Sequence, residues 1–164
     1  MIRLNLGCGK HILEGWTNVD RKPSTQGWEH DPATKDKVYD VDLNGPWPWK
    51  DNTVDAITVS HLLYCMSTLQ KKNFLHEAHR VLKPYGVIRI TDDDNEHPQS
   101  MYHTKMHHNS IEPTSKRKIE WYLQQAGFTV VEMPADKTIS PFKDICIDLH
   151  RDGPAIFFLE GCKE

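Results

Sequence analysis

Short aliphatic runs recur along the chain, separated by segments that carry helical spacing or turn-forming residues. The six runs of the main pattern are 2–6, 17–20, 38–42, 55–60, 87–91 and 128–133. Alternation of strands with helical segments predicts a layered α/β domain, because parallel strands need connections that cross a face of the sheet. We therefore expect a mainly parallel sheet.

A helix is predicted between Ser67 and Pro84. Its apolar residues fall at helical spacing, and Ser67 with Gln70 makes a capping-box pattern. The helix is expected to end near Lys83, because proline disfavours helical geometry in the residue before it.

A second helix is predicted from about Thr114 to Ala126. Thr114 or Ser115 can cap its first turn, and Gly127 allows the chain to leave it. Its expected buried stripe consists of Ile119, Tyr122, Leu123 and Ala126.

Two regions depart from a regular α/β pattern. Residues 21–37 are polar, which predicts a loop or a single helical turn where a crossover helix is usual. Runs 144–149 and 155–162 flank the turn-forming tetrapeptide 151–154, which predicts an antiparallel hairpin closing one edge of the sheet. At this length, residues 1–164 are expected to form one domain, trimmed between strands 1 and 3.

The charge balance disfavours polyanionic partners. The chain has 20 Lys and Arg against 23 Asp and Glu, a formal charge of −3, which gives no global attraction to nucleic acid or to an anionic bilayer. It shows no membrane-length apolar run and no signal-peptide pattern at its start, so we expect a cytoplasmic location. The four cysteines make no CxxC pair, which favours reduced thiols over disulfides or a zinc site.

A glycine turn directly follows the first aliphatic run, in the sequence LNLGCG at residues 4–9, and Asp20 ends the next run. Glycines at the carboxyl end of a strand let a ligand approach the backbone, and an acid one strand away can accept ribose hydroxyls. The third glycine of a dinucleotide fingerprint is absent, since Ile12 stands there. The turn by itself therefore indicates only a place where a ligand can approach the backbone, and it does not complete a dinucleotide fingerprint.

Four motifs in order resemble the class I S-adenosylmethionine-dependent methyltransferases, particularly the small type 11 group. They are LNLGCG with GWTNVD, the stretch 42–57, SHLL at 60–63, and AHRVLKPYGV at 78–87. The resemblance covers about residues 2–91. It implies a Rossmann-like seven-stranded methyltransferase sheet, and S-adenosylmethionine as the cofactor.

The resemblance also implies which residues meet the cofactor. Asp20 is implied to hold the ribose hydroxyls, and Asp42 with Leu43 to meet the adenine. Ser60 and His61 are implied to lie near the methionine amino group and the transferable methyl. The whole implied set is Asn5, Gly7, Cys8, Gly9, Asp20, Asp42, Leu43, Ser60 and His61.

Two departures from the family pattern bear on the site. Asn5 stands where the family often has an acid that orients the amino group, so this contact is expected to be weaker or differently arranged. Tyr64 and Cys65 stand where many type 11 members have Glu-His, so no catalytic role is carried over to them. Tyr64 is instead a candidate contact for the methyl acceptor.

His61 and Asp92 are the candidate catalytic residues. His61 follows a strand beside the implied methyl position and titrates near neutral pH, so it is the first candidate for a general base. The alternative is a histidine at a helix start that donates to backbone. Asp92 and Asp93 belong to a run of three acids that can orient a polar or cationic acceptor. The alternative there is a solvated loop whose first aspartate caps a turn.

Histidines are concentrated in residues 97–108, which are expected to overhang the acceptor side as a lid. His103 and His107 are candidate acceptor contacts. Being four residues apart, they can also share a helix face as metal ligands, but no further ligand motif accompanies them, so no metal is predicted.

The favoured function is transfer of a methyl group to an O or N atom of a small molecule. Motifs for methylating nucleic-acid bases, such as Asp-Pro-Pro-Tyr or a Pro-Cys pair, are absent. One alternative is a catalytically inactive cofactor-binding module that acts as a sensor or partner subunit. Another is a nicotinamide oxidoreductase, which the missing third glycine weakens. The sequence makes no prediction of the oligomeric state.

Overall fold

Seven strands make one sheet in the computed structural model, which describes residues 1–21, 35–100, 110–146 and 153–164. The strands are β1 (Arg3–Leu6), β2 (Thr17–Asp20), β3 (Val38–Asp40), β4 (Val54–Ser60), β5 (Leu82–Asp93), β6 (Phe128–Glu132) and β7 (Ile156–Lys163). They pair in the order β3-β2-β1-β4-β5-β7-β6, and all pairs are parallel except those that involve β7. The predicted Rossmann-like, mainly parallel sheet with an antiparallel C-terminal pair is confirmed.

The first predicted helix is α1 (Thr68–Val81). Its capping box is present, because the Ser67 side chain accepts from Gln70 N and Gln70 Oε1 accepts from Ser67 N at 2.8 Å. The helix ends one residue before Leu82, where β5 begins.

The second predicted helix is α2 (Lys116–Gln125), and its predicted stripe is buried. The predicted cap is wrong, since neither Thr114 nor Ser115 caps it with its side chain. The Thr114 hydroxyl donates to Asp93 O at 2.8 Å, and the Ser115 hydroxyl donates to Glu96 Oε1 at 2.7 Å. Asp94 Oδ1 accepts from Lys116 N at 3.2 Å instead, so the start of α2 is fastened to the end of β5.

The predicted C-terminal hairpin needs correction. Residues Lys143–Ile145 form a 3-10 turn rather than a strand, and residues 147–152 lie outside the described ranges. The last strand, β7, lies between β5 and β6, so β6 forms the edge. An antiparallel strand can fill that place because it enters from the opposite end and needs no crossover.

The trimming predicted between strands 1 and 3 is confirmed where the structure describes it. Residues 7–16 join β1 to β2 through turns without a helix. Between β2 and β3, the described part contains the 3-10 turn Lys35–Lys37, and residues 22–34 lie outside the described ranges. None of the described helices is long and apolar enough to cross a membrane.

The two faces of the sheet differ in chemistry. One face is apolar and packs against both helices in a single core, which includes Leu4, Ile57, Ile88, Phe74 and Leu123. On the other face, strand register places five buried polar side chains in one row: Asn18, Asn5, Thr58, Arg89 and Glu160. Each strand therefore alternates apolar and polar residues, although central parallel strands are usually apolar throughout.

Residues 134–146 cover part of this polar face. Arg89 is paired with Glu160 at 2.7 Å and also donates to the carbonyl oxygens of Ala135 and Lys137. The same segment also contributes Ile145 to a second apolar cluster, in which it packs with Trp16 and Ala56. This segment therefore packs behind the connection from β1 to β2, where α/β folds usually place a helix.

Candidate active site

The glycine turn after β1 is the first part of the site. Gly7 and Gly9 have φ of 65° and 53°, in the left-handed region that favours glycine. A Cβ on Gly7 would lie 2.7 Å from Leu62 Cδ1, so a larger residue would collide with the segment that follows β4. The turn and the end of β4 are thus held close together, with buried Cys8 between the glycines.

The side chains of two buried asparagines hydrogen-bond to the loop that follows this turn. Asn5 Nδ2 donates to His11 O at 2.8 Å and to Asn18 Oδ1 at 2.9 Å, while Asn18 Oδ1 also accepts from Leu13 N. These side chains satisfy backbone groups that a helix would otherwise pair. The structure thus uses the Asn5 amide nitrogen to brace the loop, a role that the sequence analysis did not assign.

Asp20 lies beside the glycine turn, as expected because it ends the strand that neighbours β1. Its Oδ2 accepts from Gly9 N at 2.8 Å, and its Oδ1 accepts from Arg21 N at 2.7 Å. A carboxylate has about four acceptor positions, so two remain for a pair of hydroxyl groups. Half-buried Asp20 and the left-handed glycines therefore fit the ribose of S-adenosylmethionine.

Asp42 and Leu43 follow β3, at the same end of the sheet. Asp42 is half exposed, its Oδ1 accepts from Asn44 N at 3.0 Å, and Arg21 Nη2 lies 3.9 Å from its Oδ2. The Leu43 side chain is buried in the core, and its carbonyl accepts from the Trp47 indole. A ligand here can therefore meet the Asp42 carboxylate, but only the backbone of Leu43.

His61 directly follows β4 and has φ of 50°, an uncommon conformation for a histidine. Its backbone N–H donates to Thr91 O at 2.9 Å. Its Nδ1 lies 3.8 Å from Asp92 Oδ1, and the two side chains are 9% and 0% exposed. The two predicted catalytic residues are thus neighbours.

Complete burial raises the pKa of Asp92 to about 7. Its Oδ1 accepts from Asp93 N at 2.8 Å, whereas its Oδ2 has no hydrogen-bond partner among the described residues. A carboxyl group with this pKa exchanges its proton near neutral pH. At 3.8 Å from His61 Nδ1, its ionised form acts on the imidazole through its charge rather than through a direct hydrogen bond.

The three consecutive acids have three different surroundings. Asp92 lies two residues after Ile90, on the helix-packed face, while Asp93 lies on the opposite face and accepts from Ser100 Oγ at 2.7 Å. Asp94 holds the start of α2. The alternative of a solvated loop is therefore wrong for Asp92 and Asp93, because β5 continues through both and buries them completely.

The remaining predicted site residues are placed as follows. Ser60 ends β4, and its buried hydroxyl has no hydrogen-bond partner in the part of the chain that the structure describes. Tyr64 belongs to the 3-10 turn Leu63–Cys65, and its carbonyl accepts from Ile111 N at 3.0 Å. His103 and His107, with most of the predicted lid, lie outside the described residues. The ranges that are described hold no group of three metal-ligating side chains.

Lys71 is the residue near the site that the sequence analysis missed. It is 2% exposed, and its Nζ donates to Glu112 O at 2.7 Å and to Pro113 O at 3.4 Å. The sequence did contain a signal, since Lys71 precedes Phe74 and Leu75 by three and four residues on the apolar stripe of α1. A lysine on a buried stripe indicates a special environment.

Comparison with known proteins agrees with this geometry. The fold is similar to that of an S-adenosylmethionine-dependent methyltransferase from Archaeoglobus fulgidus, with a TM-score of 0.69 and 16% identity over 98% of this chain and 85% of the other. A second such methyltransferase, from Thermotoga maritima, gives a TM-score of 0.67 and 18% identity over 99% of this chain and 82% of the other. No curated protein matches the sequence.

The model of the methyltransferase domain family matches residues 4–90, more than half of the chain. That range includes the glycine turn, Asp20, Asp42 and His61, whose positions are described above. The cofactor of this domain is S-adenosylmethionine. The chain therefore belongs to the methyltransferase domain family and has the fold of the S-adenosylmethionine-dependent methyltransferases.

Proposed function

We propose that the protein is an enzyme that transfers a methyl group from S-adenosylmethionine to an O or N atom of a small molecule. The observation that carries the proposal is the 3.8 Å approach of His61 Nδ1 to Asp92 Oδ1, at the end of the sheet where the glycine turn lies. In this proposal His61 is the proton acceptor, beside a glycine turn that would bind the nucleoside. The proposal includes a cytoplasmic location and a single domain of 164 residues.

The residues of the first three strands would hold the cofactor. Asp20 accepts the ribose hydroxyls with its remaining lone pairs, and the Gly7–Gly9 backbone lies against the ribose and methionine. Asp42 receives the amino group of the adenine. When bound, S-adenosylmethionine supplies a methyl group on a sulfonium, a leaving group that needs no further activation.

Asn5 and Ser60 complete the cofactor side of the proposal. Asn5 Nδ2 is engaged by the loop, so its carbonyl oxygen is the atom that remains for the methionine ammonium. The buried Ser60 hydroxyl, at the end of β4, is a second polar group for the methionine end. Both are neutral, which suits an ammonium beside a carboxylate better than a lysine or arginine would.

His61 would act as the general base. Its imidazole takes the proton that the attacking O or N atom loses, and the neighbouring Asp92 carboxylate stabilises the imidazolium that results. Such a base contributes about 10²- to 10⁴-fold to the rate. Alignment of acceptor, methyl and sulfur supplies further acceleration, because the reacting groups no longer lose their freedom of motion during the reaction.

The acceptor would lie on the side of His61 away from the glycine turn. Tyr64, one turn after His61, would contact it, and we assign His103 and His107 to the same side. Asp93 is left out of this group, because it lies on the face of the sheet opposite to Asp92 and accepts from Ser100 Oγ. A small acceptor is favoured over nucleic acid because the chain carries a net charge of −3.

Calorimetry with S-adenosylmethionine and S-adenosylhomocysteine tests the cofactor site, with NADH as the competing ligand. An acceptor screen that measures released S-adenosylhomocysteine then tests catalysis, with His61→Asn as the inactive comparison. Cofactor binding without turnover of any acceptor would indicate an inactive binding module instead. Preferential binding of NADH would favour an oxidoreductase and overturn the proposal.

A further inference from the structure

Glu112 joins two elements that lie far from it in the sequence. Its carboxylate oxygens accept from Thr68 N and Thr68 Oγ1, at 2.7 and 2.6 Å. Its backbone carbonyl accepts from Lys71 Nζ at 2.7 Å, and its backbone N–H donates to Tyr64 O at 3.3 Å. Every polar group of this residue therefore holds either the first turn of α1 or the 3-10 turn before that helix.

The Glu112 carboxylate completes the N-terminus of α1. The capping box of Ser67 and Gln70 does not use the N–H of Thr68, the first residue of the helix. Glu112 accepts from that N–H, and hydrogen bonds from Thr68 hold the pKa of Glu112 below its usual value. An ionised carboxylate is favoured at this place, because the N-terminus of a helix carries a partial positive charge.

The 3-10 turn is held by the same part of the chain. Tyr64 O accepts from Ile111 N at 3.0 Å as well as from Glu112 N. The turn, Leu63–Cys65, begins two residues after His61, whose φ of 50° bends the chain away from β4. The place where the turn is held therefore affects the direction in which His61 leaves the strand.

The next residues of this segment are fastened to β5. Thr114 is buried, and its Oγ1 donates to Asp93 O at 2.8 Å, one residue after Asp92. Asp92 is the residue whose Oδ1 lies 3.8 Å from His61 Nδ1. The segment 110–114 thus connects the chain after the proposed base with the chain after its neighbouring acid.

The approach of His61 to Asp92 depends on such external support. A distance of 3.8 Å is longer than a hydrogen bond, so a direct bond between the two side chains does not fix it. The backbone bond from His61 N to Thr91 O joins the strand ends, but it does not fix the course of the chain beyond His61. A misplacement of about 1 Å at a reacting group can cost roughly 10²-fold in rate.

We propose that Glu112 is a positioning residue for methyl transfer, whose bonds to Thr68 and Tyr64 hold the turn after β4 so that His61 stays beside Asp92. The proposal rests on the function proposed above, in which His61 is the base. Glu112 acts through the turn and the start of α1, and no contact with substrate or cofactor is assigned to it.

Three variants test the proposal. Glu112→Ala removes both bonds to Thr68. Glu112→Gln keeps them, because the amide oxygen accepts from Thr68 N and the amide N–H can donate to Thr68 Oγ1. The matched control is Glu77→Ala, since Glu77 is another carboxylate of α1 that accepts a backbone N–H, that of Trp47 at 2.8 Å, but bonds to Arg80 instead of the segment 110–114.

In Glu112→Ala, kcat is expected to fall by about 10- to 100-fold, the range for a misplaced reacting group. The Kd for S-adenosylhomocysteine should stay near wild type by calorimetry, because Asp20 and Asp42 lie at the ends of other strands. Glu112→Gln and Glu77→Ala should keep the wild-type kcat. A wild-type kcat in Glu112→Ala, or an equal loss in Glu77→Ala, would overturn the proposal.

A measurement by NMR needs no turnover. At pH 8, above the pKa of Asp92 of about 7, Asp92→Asn removes a charge close to the His61 ring and should shift the ring signals. In Glu112→Ala the same substitution should produce a smaller shift, because the effect of a charge falls with distance. A shift of undiminished size would contradict the positioning role.

Thr68→Val provides a milder variant if Glu112→Ala does not fold. It removes the hydroxyl that donates to Glu112 Oε1 but keeps the N–H that donates to Oε2. Both kcat and the shift caused by Asp92→Asn should decrease in this variant, to a smaller extent than in Glu112→Ala. Wild-type values of both would overturn the proposal.

The NMR experiment and the turnover assay fail separately. An undiminished shift in a protein that releases S-adenosylhomocysteine overturns the role of Glu112 alone. A diminished shift in a protein that binds the cofactor but methylates nothing overturns the proposed function, and the catalytic part of this inference with it.

Discussion

His61 and Asp92 face each other across the carboxyl ends of β4 and β5, with 3.8 Å between Nδ1 and Oδ1. The strand register pairs Ser60 with Thr91, so the next residue of each strand becomes a neighbour. The unusual φ of His61 turns the chain at that point. A base and a buried acid are thus placed together by the ends of two parallel strands, which supports the following predictions.

His61→Asn should lower kcat by about 10²- to 10⁴-fold, because it removes the base. Asparagine tolerates a left-handed backbone, so the variant keeps the turn while losing the imidazole. Affinity for S-adenosylmethionine, measured by calorimetry, should remain near wild type. Full turnover in this variant would remove His61 from the mechanism.

Asp92→Asn should change how stability depends on pH. The pKa of Asp92 is raised to about 7 in the folded protein, above its unfolded value, so the native state binds a proton that the unfolded state has lost. This carboxyl therefore destabilises the wild-type fold progressively from about pH 4 to pH 7.

The measurement for this prediction is urea unfolding of both proteins from pH 4 to pH 8. The stability of Asp92→Asn relative to wild type should increase up to about pH 7, by roughly 4 kcal/mol at most, and then level off. Exposed Asp136→Asn is the control and should show no such trend. A constant difference at every pH would contradict the raised pKa.

Asp20→Ala should weaken the binding of S-adenosylmethionine by about 1.5–3 kcal/mol, the usual contribution of a hydrogen bond to a charged group. The variant also removes the acceptor of Gly9 N, which helps to shape the glycine turn. Asp20→Asn is therefore a useful companion, because it keeps an oxygen at this position. Calorimetry that finds wild-type affinity for both variants would refute the ribose contact.

Arg89→Met should destabilise the fold by about 3–5 kcal/mol, because it leaves Glu160 as an uncompensated buried charge. The double variant Arg89→Met with Glu160→Leu should recover much of that loss, since neither charge is then buried. Chemical unfolding of the two variants measures the difference. Equal stability of the single and double variants would show that the pair is not coupled.

Local sequence patterns were sufficient to predict much of the fold. The capping box of Ser67 and Gln70, the stripe of α2 and the glycine turn depend on residues close in the chain, so the sequence predicts them directly. The approach of Asp20 to Gly9 was also predictable, because parallel strands end at the same edge of a sheet.

Other features required the assembled sheet. The last strand, β7, pairs with β5 on one side and with β6 on the other. This position depends on which strands have unpaired backbone groups once the sheet forms, and local sequence patterns do not specify it. Asp94 caps α2 at Lys116, which lies 22 positions further along the chain. Lys71 donates to the carbonyl oxygen of Glu112, 41 positions away. Such contacts exist only after the chain has folded.

The sequence by itself therefore determined the first six strands, the two helices, the glycine turn and the acid at position 20, because each follows from short-range periodicity or from a compact motif. Only the tertiary structure decided that Asp92 is fully buried, that His61 faces it and that Lys71 is buried against the carbonyl oxygens of Glu112 and Pro113. Burial and electrostatic environment are set by elements distant in the chain, and they raise the pKa of the Asp92 carboxyl and lower that of the Lys71 ammonium group.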